Sequence, residues 1–293
     1  MSLWIFVNTF SSREKAFSLW LLIFLTIMLF KESIRKSIYE VIKSFFHIKV
    51  FSIFVGMLIY IALVIKFLYK IGLWEFSLTK DTIFWILGTA FVFLINTNKA
   101  TQNINYFKNV VLDSFKFIVV LEFIINFYTY NFWIEIILIP ILTILSLGNS
   151  LAGTKPEYKQ VKKFLDSILA IFGIYLTIYI IGKVVIDYKS LINTYNLVTF
   201  ILPILLTITL IPYLYLFALA MAYETLFIRL GIFIKKEELL NYSKKKIFFL
   251  CHLNLSKLNR LAHNRMINQV SNKKDLKRII NNFKAYEIEA VSK

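Results

Sequence analysis

The sequence predicts an all-α integral membrane protein: a polytopic bundle of about seven transmembrane helices with a basic helical cytoplasmic tail. Three observations carry that expectation. Hydrophobic residues make up 58% of the 293-residue chain and charged residues only 17%, whereas a soluble domain is about a quarter charged. The apolar residues gather into runs of membrane length, since a helix rising about 1.5 Å per residue needs about 20 residues to cross a core of about 30 Å. The Lys and Arg residues behind the net charge of +17 fall mainly between and after those runs. A single soluble core could not hide so much apolar surface, so lipid is the expected second solvent.

The runs lie at 16–30, 50–68, 82–96, 109–128, 131–148, 164–186 and 197–222. They are continuous rather than alternating, which argues against a spanning β-barrel. The first and third are short and must borrow flanking residues or thin the bilayer. The first has basic residues ahead of it but no small-x-small cleavage site, so it reads as a retained span.

Charge sets the expected orientation, because Lys and Arg concentrate in cytoplasmic loops. Loop 31–49 carries Lys31, Arg35, Lys36, Lys43 and Lys49 against Glu32 and Glu40. Loop 149–163 carries Lys155, Lys159, Lys162 and Lys163 against Glu157. The tail, 235–293, holds fourteen Lys/Arg and five Asp/Glu. Seven spans put all three on one side, with the N-terminus outside and the C-terminus in the cytoplasm of a bacterial-type cell membrane. Trp4, Trp20, Trp74, Trp85 and Trp133 then all fall at the outer interface, where an apolar ring with a wet N–H belongs.

Residues 31–49 place Ile34, Ile38, Val41, Ile42, Phe45 and Phe46 on one stripe opposite a basic face. The stretch reads equally as an interfacial helix on anionic lipid or as an extension of the first span. The boundary between a transmembrane domain, 1–230, and the tail, 231–293, is set by the loss of long apolar runs. In the tail, 245–270 reads as one amphipathic helix with Phe248, Cys251, Leu255, Leu258 and Leu261 on its apolar side. A second helix follows over 271–290, opened by the cap-type residues Ser271 and Asn272.

Few residues stand out as candidate sites. Glu122 and Glu135 flank a tight aromatic turn near 128–131 and sit in the outer third of the core. An ionised carboxylate at that depth needs a partner or water. Lys183 and Lys66 lie at similar depth, so an outer-leaflet cluster of Glu122, Glu135, Lys183 and Lys66 is expected, as a structural ion pair or as part of an ion path. Pro140, Pro203 and Pro212 each remove a helix hydrogen bond and are candidate kinks, for packing or for gating. The tail cations Lys244, Lys245, Lys246, Arg260, Arg265, Lys273, Lys274, Lys277 and Arg278 are candidates for contact with anionic headgroups or a soluble partner. They would suit nucleic acid less well than lipid.

Other classes find little support. One cysteine excludes an intrachain disulfide framework. Three histidines lie far from any cluster with metal-ligand spacing, and no P-loop, HExxH or G-x-S-x-G motif occurs. The expectation is therefore a non-enzymatic protein without cofactor or metal. Glycine is scarce, eight residues, and no GxxxG motif supports close helix crossing. The paired helix breaks of a classical transporter are missing too. Functionally the sequence points to a component that alters membrane permeability. It would be channel-like, or a membrane effector of a stress or phage-defence system, regulated through its tail and working as a homo-oligomer. The alternative is a permease-like or scaffolding subunit that recruits a soluble cytoplasmic ATPase or nuclease.

Overall fold

The computed structural model describes residues 10–103, 105–116, 119, 123–125, 127–191, 193–264, 270 and 272–291. Every regular element among them is helical. Helix α1, Ser12–Phe30, starts where Ser11 and Glu14 form a reciprocal capping box: the Ser11 hydroxyl accepts from the Glu14 N–H, and the Glu14 carboxylate accepts from the Ser11 N–H. Two orphan donors of the first turn are satisfied in this way. The helix therefore begins before the apolar run and carries Arg13 in its first turn. Lys31 is extended, and α2, Glu32–Phe45, leaves α1 at 108°. It is a separate amphipathic helix and does not extend α1.

Helix α3, Ile48–Lys70, is closed by Gly72 at φ +76°. The Leu73 N–H reaches the Leu68 carbonyl and the Gly72 N–H reaches that of Tyr69, a Schellman ending whose left-handed residue favours glycine. Next come a 3₁₀ turn at Phe76–Leu78, α4 at Thr79–Trp85, a π-helical turn at Ile86–Ala90 and α5 at Phe91–Ile95. The polar run after it forms two short helices, α6 at Asn98–Gln102 and α7 at Tyr106–Ser114. Helix α8, Phe132–Ala152, is capped by the Asn131 side chain. Helix α9, Lys159–Leu191, breaks its dihedrals at Asp187, and α10, Thr194–Phe233, runs for 40 residues. The tail holds α11 at Glu237–Cys251, α12 at Leu255–His263 and α13 at Lys273–Val291.

Five stretches are long and apolar enough to cross a membrane: Ile48–Lys70, Phe76–Ile95, Phe132–Ala152, Pro156–Asp187 and Thr194–Phe233. The bent pair of α1 and α2 makes a sixth if counted as one. This is compatible with a membrane protein. The sequence led us to expect seven. Arg13, Glu14 and Lys15 bring charge into the start of α1. In the expected fourth span, α7 ends at Ser114, and most of 117–126 lies outside the described residues.

Contacts divide the chain into two units, 1–58 with 116–200 and 59–115 with 201–293. In the first unit α8 packs against α9 and α1. Asn149 and Lys162 grip Asp166 at 2.8 and 3.1 Å. The second unit has the larger buried core. Leu219, Leu226 and Leu230 of α10 and Ile234 just after it meet Leu239, Ile247 and Cys251 of α11, Leu258 and Leu261 of α12, and Leu276, Ile279 and Phe283 of α13. The boundary expected at 230/231 falls inside α10 and inside this unit.

Helices α10 and α11 form an antiparallel hairpin. Gly231 faces Leu240, Phe227 faces Lys244, and Tyr223 faces Phe248. The buried positions of α11, Leu239, Ser243, Ile247 and Cys251, recur every four residues, so one stripe faces α10. The expected single helix over 245–270 is in fact two. His252 takes φ +45°, a left-handed conformation. Asn254 then caps α12 by accepting from the Lys257 N–H at 2.8 Å. A polar cap residue can end one helix and start another where apolar periodicity alone reads as continuous.

Candidate functional site

Two places gather the chemistry. The first is a clamp on Glu135, which lies one turn into α8 and is 1% exposed. Arg13 holds it: Nε donates to both carboxylate oxygens at 3.2 Å, and Nη2 donates to Oε1 at 3.0 Å. Arg13 Nη1 also donates to the Ile125 carbonyl at 2.9 Å. The Tyr130 backbone N–H donates to Glu135 Oε1 at 2.9 Å. Nearby, the Trp20 indole N–H donates to the Ile136 carbonyl at 2.7 Å. A buried carboxylate is tolerated when a planar guanidinium meets it in a bidentate fork and a backbone donor fills another lone pair. Chemically the arrangement neutralises a charge and ties α1 to α8. It leaves little of the carboxylate for an ion.

Of the expected cluster, Glu135 is the member whose partner is seen. The partner of Glu135 is Arg13, a residue the sequence reading left in the lead-in to the first span. Lys183 is exposed on α9, its ammonium 5.7 Å from the Tyr179 ring centroid, and Tyr179 stacks on Tyr130 at 4.7 Å. Lys66 is exposed on α3. Glu122 lies outside the described residues. The missed signal was the Ser11–Glu14 capping pattern: a helix starting at 12 brings Arg13 within reach of its neighbours.

Pro140 lies inside α8, and Pro203 and Pro212 lie inside α10. Both helices continue through them. In the second unit the hydroxyls and indoles of the apolar helices find local partners. Tyr60 donates to the Thr209 carbonyl at 2.8 Å, and the Trp85 indole N–H donates to Thr207 Oγ1 at 3.1 Å. Pro212, which cannot donate a backbone hydrogen bond, frees the carbonyl of Ile208, the residue next to Thr209.

The second place is the tail module. Its apolar sides face α10, so the cations lie on the outer side. Lys245, Lys246, Arg260, Lys273, Lys274, Lys277 and Arg278 are exposed, while Lys244 is half-buried. Arg265 lies outside the described residues. Lys244 leans on the Phe227 ring, and Lys246 and Lys273 on that of Tyr242, at 5.8, 5.8 and 5.4 Å. Lys273 also pairs with Glu238. That pairing holds the Glu238 carboxyl below its usual range and raises the Lys273 ammonium. Arg229 of α10 donates to the Ala262 carbonyl at the end of α12. Among the described residues no group of three or more His, Cys, Asp or Glu is placed to hold a metal ion.

Compared with family models, curated proteins and solved structures, the chain matches none.

Proposed function

We propose that this chain is a non-enzymatic, multi-pass membrane protein acting as a scaffold, its C-terminal helical module forming a prefolded cationic platform for a soluble, acidic partner. The observation that carries the reading is the burial of the module's leucines on α10. An amphipathic tail resting on lipid would spend its apolar side on the bilayer. Here that side is spent on the protein's own core, which leaves a rigid surface of positive charge. Such a surface steers and orients an acidic partner more than it adds raw affinity.

Helix α10 supports the coupling of this platform to the membrane. Its 40 residues span roughly 60 Å, about twice the hydrocarbon thickness. Its first half is a charge-free apolar helix, and its second half is the spine of the module. The same continuity favours a second reading, the permeability-altering effector expected from the sequence. A displacement of the module would travel along α10 as along a rod, past Pro203 and Pro212.

The two readings separate in one experiment. Deleting 235–293 would strip α10 of its packing, so the informative variant is the charge reversal Lys274→Glu/Lys277→Glu/Arg278→Glu, which touches only exposed positions. The intact and reversed chains are expressed with affinity tags, while dye entry and membrane potential are followed. A cytoplasmic protein that co-purifies with the intact chain and is lost on reversal supports the scaffold. Depolarisation by the chain alone, equal in both versions and without any partner, overturns it in favour of the effector.

A further inference from the structure

One face of the tail module is not cationic alone. On α11, Lys245, Phe248, Phe249 and His252 follow the i, i+3, i+4, i+7 spacing that puts residues on one helical face. Lys245, Phe249 and His252 lie away from the stripe that packs on α10, and Phe248 sits at the edge of that stripe, its ring 5.6 Å from that of Tyr223. Phe248 is 51% exposed, Phe249 67% and, one residue beyond His252, Leu253 63%. The three aromatic rings contact one another, with centroids 6.1 Å apart for the two phenylalanines and 6.4 and 6.2 Å from each to His252.

The position of this face along α10 is fixed. Tyr223 donates to the His252 carbonyl at 2.8 Å. Tyr215 donates to the Leu253 carbonyl at 2.6 Å and accepts from the Leu255 N–H at 3.2 Å. Two hydroxyls on α10 therefore pin the α11–α12 turn, whose His252 is left-handed. Helix α11 climbs α10 antiparallel, so this turn lies furthest back along the apolar helix. The first charged residue of α10 is Glu224. Tyr215 precedes it by about 13 Å of helix axis, within the charge-free run. A turn pinned at that level, with two phenylalanines and a leucine facing outward and three consecutive lysines one turn behind, matches an interfacial lipid contact. Aromatic and aliphatic side chains enter the acyl boundary while ammonium groups meet phosphates.

We infer that the α11–α12 turn is a lipid-surface anchor: Phe248, Phe249 and Leu253 insert at the boundary of the leaflet from which α10 emerges, and Lys244, Lys245 and Lys246 bind anionic phospholipid headgroups. The anchor rests on the reading that α10 crosses a bilayer, and it uses a different face from the partner platform on α13. It holds the module upright by two supports, the spine of α10 and the inserted turn.

The full-length protein, with Cys251→Ala to leave one reactive thiol, is reconstituted in vesicles of phosphatidylcholine and phosphatidylglycerol. It is spin-labelled at Phe249→Cys or, as an aqueous reference, at Lys274→Cys. The ratio of collision with oxygen to collision with a water-soluble nickel chelate reports depth. The ratio at 249 should be several-fold above that at 274, and it should fall in vesicles of phosphatidylcholine alone. Equal ratios at 249 and 274 overturn the anchor, and equal values in the two vesicle types overturn its headgroup component. Alkaline carbonate extraction separates the levels. A protein released by carbonate refutes the membrane reading itself, whereas a retained protein with a water-exposed label at 249 refutes only the anchor.

Discussion

Removing Arg13 should destabilise the first unit more than any other single surface-reaching change. The substitution Arg13→Met keeps much of the side-chain volume but leaves the Glu135 carboxylate, 1% exposed, with only the Tyr130 N–H. Breaking one side of a buried ion pair costs about 3–5 kcal/mol, because the remaining charge stays desolvated. Arg13 itself is 21% exposed, so the pair is partly screened and the lower end, about 3 kcal/mol, is expected. The companion variant Arg13→Met/Glu135→Gln removes both charges, while the amide oxygen still accepts from Tyr130. It should recover about 2 kcal/mol of that loss, since a neutral buried amide is far cheaper than a buried carboxylate. Unfolding of the purified protein in mixed micelles by added dodecyl sulfate, followed by circular dichroism, gives the free energies for a double-mutant cycle. A cost below about 1 kcal/mol for Arg13→Met, or a double variant no more stable than the single one, would refute the claim that the pair matters because it is buried.

Four further outcomes are expected. Leu258→Ala and Leu230→Ala, both at positions with 0% exposure, should each cost about 2–5 kcal/mol, seen as faster proteolysis within 235–291. His252→Gly should stabilise the same region by about 1 kcal/mol, because glycine adopts a left-handed turn without strain; slower proteolysis is the readout. The Glu238–Lys273 pair lowers the carboxyl pKa and raises that of the ammonium. Its contribution is therefore present between the two unfolded-state values, fades as the pH falls through the lowered Glu238 value and fades again as it rises through the raised Lys273 value. Glu238→Gln should accordingly leave the melting temperature at pH 7 nearly unchanged, both groups being solvent-exposed, and should flatten the acid limb of the stability profile. Reporter fusions at 149–163 and at the C-terminus should report one compartment, since two apolar helices, Pro156–Asp187 and Thr194–Phe233, lie between them; opposite compartments would break the topology. A fusion in 31–49 reports that same compartment only if 109–128 also crosses.

The sequence by itself determined the all-helical class and most of the helices. Long uninterrupted apolar runs need no tertiary information to be read, because lipid rewards them residue by residue. The helix over 132–152 and the capped start of α13 at Asn272, whose side chain accepts from the Lys274 and Asp275 N–H groups, follow from local rules of this kind. Tertiary structure alone decided the pairings. Arg13 and Glu135 are 122 residues apart, and no periodicity links them; depth estimates could only offer lysines of about the right height. The tail's leucines could equally have met lipid or protein, because both are apolar and the amphipathic pattern is the same for either. Only the register of α11 on α10 shows that they meet protein, that Phe248 rests one side of its ring on Tyr223, and that Phe249 is left facing outward.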